Sequence, residues 1–212
     1  MKRIAVFASG TGSNFRTIVQ HIQNGHLRAE PALLVVDNSK AKAADFARAH
    51  HIPVSLLPPR DFADENAFGR AVIEALEARQ TDFIVLAGYL KKIPDNVIGA
   101  YPNRILNIHP ALLPAFGGKG MYGRHVHEAV FRSGAQITGV TVHLINNEYD
   151  AGPIVLQAAV NVRDCQNPAE IAEKVLKEEH RIFPEAIKLL LENPYRIEGN
   201  RVIVERENND QN

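Results

Sequence analysis

The chain has 212 residues, 24 Lys+Arg against 24 Asp+Glu, and 45% apolar residues. That length buries a substantial core, and the even charge balance, without blocks of like charge, argues against a general nucleic-acid or membrane-surface role. A single cysteine, Cys165, excludes an intrachain disulfide framework and a thiolate metal cluster, and no apolar run approaches the roughly 18–20 residues of a membrane-spanning helix. Met1-Lys-Arg-Ile4 runs straight into strand-like sequence with no leader-like apolar segment, so a cytoplasmic location is expected.

Ile4-Ala-Val-Phe7 predicts a buried parallel strand. It empties into Ala8-Ser9-Gly10-Thr11-Gly12-Ser13-Asn14, after which Phe15, Ile18, Val19 and Ile22 recur at helical spacing until Gly25. Strand, glycine loop and helix start make an anion-binding layout, because unpaired N–H groups and the positive helix end converge there. Ala32–Val36 predicts a second strand, residues 40–50 a helix, and Val54–Leu57 a third strand closed by Pro58-Pro59. Phe68, Ala71, Val72, Ala75 and Leu76 stripe the next helix, Phe83–Ala87 predicts a fourth strand, and Asp95–Ala100 a short helix.

Arg104–His109 predicts a fifth strand in which Asn107 and His109 project to one face, with Pro110 and Pro114 ending regular pairing. Two polar side chains then sit at the carboxyl end of a buried strand, where open α/β sheets place their chemistry; a capped strand end with a satisfied histidine is the plainer alternative. The glycine-rich Phe116–Gly123 loop leads to a helix from about Val126 to Ser133. Thr138–Ile145 alternates as a strand, Asn146–Gly152 is a polar loop, and Ile154–Val160 is a further strand. Pro168 opens a long helix carrying Ile171, Val175, Ile182, Ile187 and Leu190, with Pro184 a point of bending, and Tyr195–Val204 reads as a hairpin turning at Gly199-Asn200. The alternation predicts an α/β fold, a doubly wound, mostly parallel sheet of about seven strands. Residues 1–212 are read as one domain, with a phosphate-binding half over about 1–100, a catalytic half over about 101–206, and a polar tail at 207–212.

Gly10-x-Gly12 begins like a dinucleotide fingerprint and Asp37 ends the second strand where a ribose-binding acid would sit, yet Phe15 replaces the third glycine. Ser13 and Asn14 instead add donors suited to a terminal phosphate monoester, or they simply cap the helix. Asn107, His109 and Asp150 supply an amide donor, an imidazole and a carboxylate, a set suited to building negative charge on an oxygen while a proton moves. No serine or cysteine stands in a nucleophile elbow, so direct transfer fits better than a covalent intermediate. His125-x-His127 diverges by about 200° on a helix and no metal site is expected. His143 reads as a satisfied core or strand-end histidine, and Cys165 as inert.

Leu106-Asn-Ile-His-Pro-Ala-Leu-Leu-Pro114, the Gly10–Asn14 loop and Asp150-Ala-Gly-Pro153 together resemble the folate-dependent formyltransferases, and the glycine loop resembles the phosphoribosylglycinamide formyltransferase branch. The resemblance runs from Ile4 to about Pro184. It implies transfer of a formyl group from 10-formyltetrahydrofolate to the amine of 5′-phosphoribosylglycinamide in purine biosynthesis, with small-molecule substrates only and no metal. It implies further that Gly12, Ser13 and Asn14 hold the substrate phosphate, that Asn107, His109 and Asp150 are catalytic, and that Glu179 binds the ribose. Leu90, Lys91, Lys92 and Ile93, with Asn107, would line the folate slot, the Asn146–Asp150 loop would close over it, and His127 would help position substrate. A monomer or weak homodimer is expected. Two stretches depart from the pattern: Asp64-Glu65-Asn66, with Arg60 upstream, stands where a basic folate contact is common, and the Gly117–Tyr122 loop carries Lys119 in place of a shorter, proline-containing form. Formyl-folate hydrolysis and transfer to an initiator tRNA share the chemistry, but each is expected to need a further domain. A non-catalytic nucleotide-sensing module would have no use for Asn107, His109 and Asp150 together.

Overall fold

β1 (Lys2–Ala8) is almost wholly buried from Ile4 to Ala8, which a strand achieves only with both faces covered. Ile4, Val6 and Ala8 face one apolar layer and Ala5 and Phe7 the other, as the two-residue period requires. The first layer is closed by α1 (Ser13–Gln23), α2 (Ala43–Ala49), α5 (Arg124–Ser133) and α6 (Pro168–Glu192), the second by α3 (Glu65–Glu77) and α4 (Asp95–Ala100). The computed structural model describes residues 1–205; the polar tail expected at 207–212 lies outside them.

β2 (Ala29–Val36), β3 (Val54–Leu56), β4 (Phe83–Leu86) and β5 (Ile105–His109) join β1 in a parallel block ordered β3-β2-β1-β4-β5. β6 (Ile137–Leu144) runs antiparallel to β5, and β7 (Ile154–Asn161) antiparallel to β6. The expected hairpin forms as β8 (Tyr195–Glu198) and β9 (Arg201–Val204), and β9 adds to β7 at Ile154↔Arg201. The sheet therefore has nine strands rather than about seven, although the α/β, mostly parallel class stands. Turn chemistry at Gly199-Asn200 makes the hairpin legible in sequence, but the free edge it docks on is a property of the whole sheet.

Local differences have local causes. β2 begins three residues before the predicted run, because Ala29, Glu30 and Pro31 also pair with β1; Pro31 has no N–H, and the register jumps from Ile4↔Pro31 to Ala5↔Leu33, leaving Ala32 as a bulge. Asn167 caps α6, accepting from the N–H groups of Ala169 and Glu170 at 3.0 and 3.1 Å ahead of the helix-compatible Pro168. α6 then continues through Pro184 to Glu192.

β1 and β4 are neighbours whose connections leave in opposite directions, toward β2 and toward β5. At such a reversal the carboxyl ends of the strands open onto a crevice. The ends of β1, β4 and β5 meet there.

Candidate active site

Gly12 sits at the entry to α1 with φ +74°, and a Cβ placed there would come within 2.7 Å of the Ala43 Cβ. Only glycine lets the loop turn left-handed this close to α2. No side chain caps α1, so Ser13 and Asn14 do not serve as the cap, and the N–H groups of the first helical turn stay available to an anion. Phe15, where a dinucleotide loop would carry its third glycine, is fully buried with its ring edge against Phe46, centroids 5.6 Å apart. Asp37 is equally occupied, accepting from Asn38 Nδ2 at 2.7 Å with Lys91 Nζ 4.0 Å away.

Asn14 reaches across to α6, donating through Nδ2 to Glu179 Oε2 at 2.6 Å, while its own buried Oδ1 has no partner among the described residues. Burial pushes the Glu179 carboxyl above its usual range, against the pull of the Asn14 hydrogen bond. The helix start and the acid of α6 thus form one wall.

The opposite wall is built by β5 and β6. Their antiparallel register sets Asn107 directly across from His143 and His109 across from Thr141, so all four side chains share one face. Thr141 is buried and fastens the turn that leaves β5: its Oγ1 accepts from the Leu113 N–H at 3.0 Å and donates to the Ala111 carbonyl at 2.7 Å. Gln157 Nε2 adds donations to Thr141 Oγ1 and the Leu113 carbonyl.

Asp150 enters from the β6–β7 loop with φ +54° and lies between two imidazoles. Its Oδ2 is 3.6 Å from His109 Nδ1 and its Oδ1 is 3.7 Å from His143 Nε2. Oδ2 also accepts from the Gly118 N–H at 2.8 Å. His109 Nε2 donates to the Phe116 carbonyl at 2.8 Å, so both of its nitrogens face acceptors. Burial lowers the proton affinity of His109, while Asp150 and the Phe116 carbonyl raise it. Burial likewise lowers His143, against the Leu144 carbonyl and Asp150, and lowers His127, with His109 adding to the effect. His127 is buried with Nδ1 unpartnered among the described residues, whereas His125 is exposed beside Glu128. Among the described residues no group of three His, Cys, Asp or Glu side chains stands close enough to share a metal ion.

Between these walls lies a cavity of about 630 Å³. Gly12, Ser13, Asn14, Leu90, Lys91, Lys92, Ile93, Asn107, His109, Asp150 and Glu179, separated by as much as most of the chain, all line it, joined by His127, His143 and Lys119. The Leu90 N–H donates to Ser9 Oγ at 3.0 Å, which ties the segment after β4 to the glycine loop. Lys92 turns its ammonium outward to Glu65 and Asp95, at 3.3 and 3.1 Å, and Asp64 caps α3 by accepting from the Ala67 N–H. The acidic Asp64-Glu65 pair that departs from the family pattern therefore has structural partners of its own.

Sequence reasoning read His143 as a satisfied core or strand-end histidine rather than as a cavity residue, and the Phe116 carbonyl and Gly118 N–H lay outside it. His143 was findable only through the β5–β6 register, and the two backbone groups carry no residue-type signal.

The formyl transferase family model matches residues 2–187. The chain is 42% identical to the chloroplastic phosphoribosylglycinamide formyltransferase of Arabidopsis thaliana, over 99% of this chain and 73% of that one. It is 40% identical to the phosphoribosylglycinamide formyltransferase of Bacillus subtilis, over 90% of this chain and 95% of that one. Among solved structures, glycinamide ribonucleotide transformylase 1 from Symbiobacterium toebii superposes with a TM-score of 0.90 at 37% identity, covering 96% of this chain and 94% of the other. A family match over most of the chain, relatives at 40–42% identity and a solved structure that superposes over nearly its whole length agree with one another: the chain belongs to the formyl transferase family, on its phosphoribosylglycinamide formyltransferase branch.

Proposed function

We propose that this protein transfers the formyl group of 10-formyltetrahydrofolate to the amine of 5′-phosphoribosylglycinamide in purine biosynthesis. The observation that carries this reading is the single cavity in which an uncapped helix start, a carboxylate, a His–Asp pair and a strand-end amide face one another. The phosphate rests on the N–H groups of Gly12, Ser13 and Asn14, and Glu179 takes the ribose hydroxyls, held in place by Asn14. Leu90–Ile93 and Asn107 line the folate slot, through backbone and apolar contact because the ammonium of Lys92 points outward.

The neutral substrate amine attacks the formyl carbon, forming the new C–N bond and a tetrahedral oxyanion. Asn107 and His109 stabilise that charge, each donor contributing roughly 3–4 kcal/mol in the transition state. Collapse breaks the bond to the folate nitrogen, which receives the proton the amine loses. Asp150 favours the charged form of His109 and serves the proton's path. His127, buried and lining the same cavity, helps position the substrate. Within one domain the first hundred residues supply the phosphate loop and the remainder the catalytic residues, while Leu90–Ile93 and Glu179 each reach across that division. We place the enzyme in the cytoplasm as a monomer or weak homodimer; among the described residues no helix is long and apolar enough to cross a membrane.

The test is to follow 10-formyltetrahydrofolate with and without phosphoribosylglycinamide. Loss of the formyl donor that requires the nucleotide and yields formylated nucleotide is expected. Release of formate without nucleotide would assign a hydrolase, and no consumption under either condition would leave a binding module.

A further inference from the structure

We propose that His143 is a positioning residue for formyl transfer, a neutral imidazole that fixes which end of the Asn107 amide meets the reacting oxygen. The proposal rests on the formyl-transfer reading above, and it goes beyond the His109–Asp150–Asn107 trio. The argument begins with a main-chain carbonyl. His143 Nδ1 lies 2.9 Å from the Leu144 carbonyl, and a carbonyl only accepts, so Nδ1 carries the proton. In the neutral ring Nε2 then carries a lone pair, and it faces Asn107 Nδ2 at 3.1 Å. An amide nitrogen donates, so this contact holds Asn107 with its NH2 group toward His143. The flipped amide would set an oxygen against a nitrogen lone pair, two acceptors with no proton between them.

The contact leaves one Asn107 N–H uncommitted, on the strand face that lines the cavity. That N–H is the one able to meet a developing oxyanion. His143 is 2% exposed and lies directly across the β5–β6 ladder from Asn107, so neither side chain turns away without breaking a buried hydrogen bond. Placed also 3.7 Å from Asp150 Oδ1, the same ring stands between the carboxylate and Asn107. Were His143 charged, it would compete with His109 for that carboxylate; neutral, it leaves Asp150 to His109.

Steady-state kinetics with a double-mutant cycle test this. His143→Leu keeps the bulk and removes the acceptor, and its kcat should fall by about ten- to a hundredfold with KM for both substrates within about threefold. His143→Gln, which can set an oxygen near the Nε2 position, should recover most of that loss. Combined with Asn107→Ala, His143→Leu should add little, because the group it positions is already gone. A kcat within twofold of wild type, a loss confined to KM, or a loss that multiplies with Asn107→Ala would each overturn the proposal. Imidazole 15N NMR on the resting wild-type protein reads the same contact without turnover and without relying on a folded variant. A neutral His143 ring protonated at Nδ1, with an Nε2 shift that marks an accepted hydrogen bond, is expected, and a ring protonated at Nε2 would overturn the assignment. Should wild-type protein fail to formylate the nucleotide, the activity reading falls, and the NMR result still decides the contact.

Discussion

Replacing Asp150 by Asn keeps the shape and an oxygen able to accept from the Gly118 N–H, and removes only the charge facing His109. Unit charges 3.6 Å apart interact by roughly 4–5 kcal/mol at an effective dielectric near 20 and by roughly 1 kcal/mol in bulk water. The His109 side chain is 4% exposed and that of Asp150 14%, so the pair sits between these limits but nearer the former. About 2–4 kcal/mol is then at stake for the imidazolium, a fall in kcat of roughly 30- to 700-fold at neutral pH. The sign on the pH axis follows from the same geometry. Burial already lowers the proton affinity of His109 and Asp150 opposes it; without the carboxylate, protonation retreats to still lower pH, and the activity of the variant should rise toward acid where wild type has levelled off. The assay is kcat for formyl transfer across pH 5.5–8.5 for Asp150→Asn and wild type. A variant within about threefold of wild type with an unshifted profile would refute the idea that this charge supports His109.

Three further outcomes are expected. Gly12→Ala should cost about 1–3 kcal/mol in urea unfolding and raise KM for the ribonucleotide, since a methyl group there meets Ala43 Cβ at 2.7 Å in a left-handed backbone; unchanged unfolding midpoint and KM would contradict the close approach. Glu179→Gln should retain a hydrogen bond with Asn14 yet raise nucleotide KM about tenfold while leaving folate KM alone, measured by varying each substrate in turn. Unfolding free energy should fall as pH drops below about 6.5, because His109, His127 and His143 have lowered proton affinity when folded, so that the unfolded chain binds more protons there. Each contributes up to about 1.4 kcal/mol per pH unit, while Glu179, with its raised carboxyl, acts with opposite sign above about pH 4.5; urea titrations at pH 7.5 and 5.5 that gave equal stability would contradict the lowered proton affinities of these buried imidazoles.

What was legible in the sequence follows from which interactions are local. The run Ile4–Phe7, the loop to Asn14 and the stripe of Phe15, Ile18, Val19 and Ile22 declare strand, turn and helix through neighbours alone, and β1 and α1 form there. Asn107 and His109 share a face through strand period, which needs no partner. His143 is different: whether it is a strand-end residue or part of the site depends on β5 and β6 pairing at Asn107↔His143 rather than one residue away, and a slip of one would turn it to the other face. It is buried and hydrogen-bonded, as the satisfied-histidine reading has it, and it is also in the site. Lys92 shows the complementary limit, since the segment lines the cavity as expected but its charge is claimed by Glu65 and Asp95 on other elements.

The Phe116 carbonyl joins these observations into a requirement on turnover. His109 has two N–H groups when charged, and Nδ1 is directed at Asp150, so only Nε2 is free to meet an oxyanion. In the resting protein Nε2 is held at 2.8 Å by that carbonyl. Nε2 carries a single N–H, and the loop that brings the carbonyl to it lies so close to the site that a Cβ on Gly117 would meet Leu113 Cδ2 at 2.4 Å and Asp150 Cβ at 3.3 Å. A formyl oxygen arriving at Nε2 therefore has to displace the carbonyl rather than join it. While the formyl oxygen is neutral the exchange is of one carbonyl for another and changes the free energy little. Once charge develops, the new hydrogen bond becomes charge-assisted and about twice as strong, whereas the one surrendered was neutral at its acceptor. Under the proposed mechanism, the resting contact thus keeps a buried donor satisfied without competing with the transition state, the difference in binding on which catalysis depends.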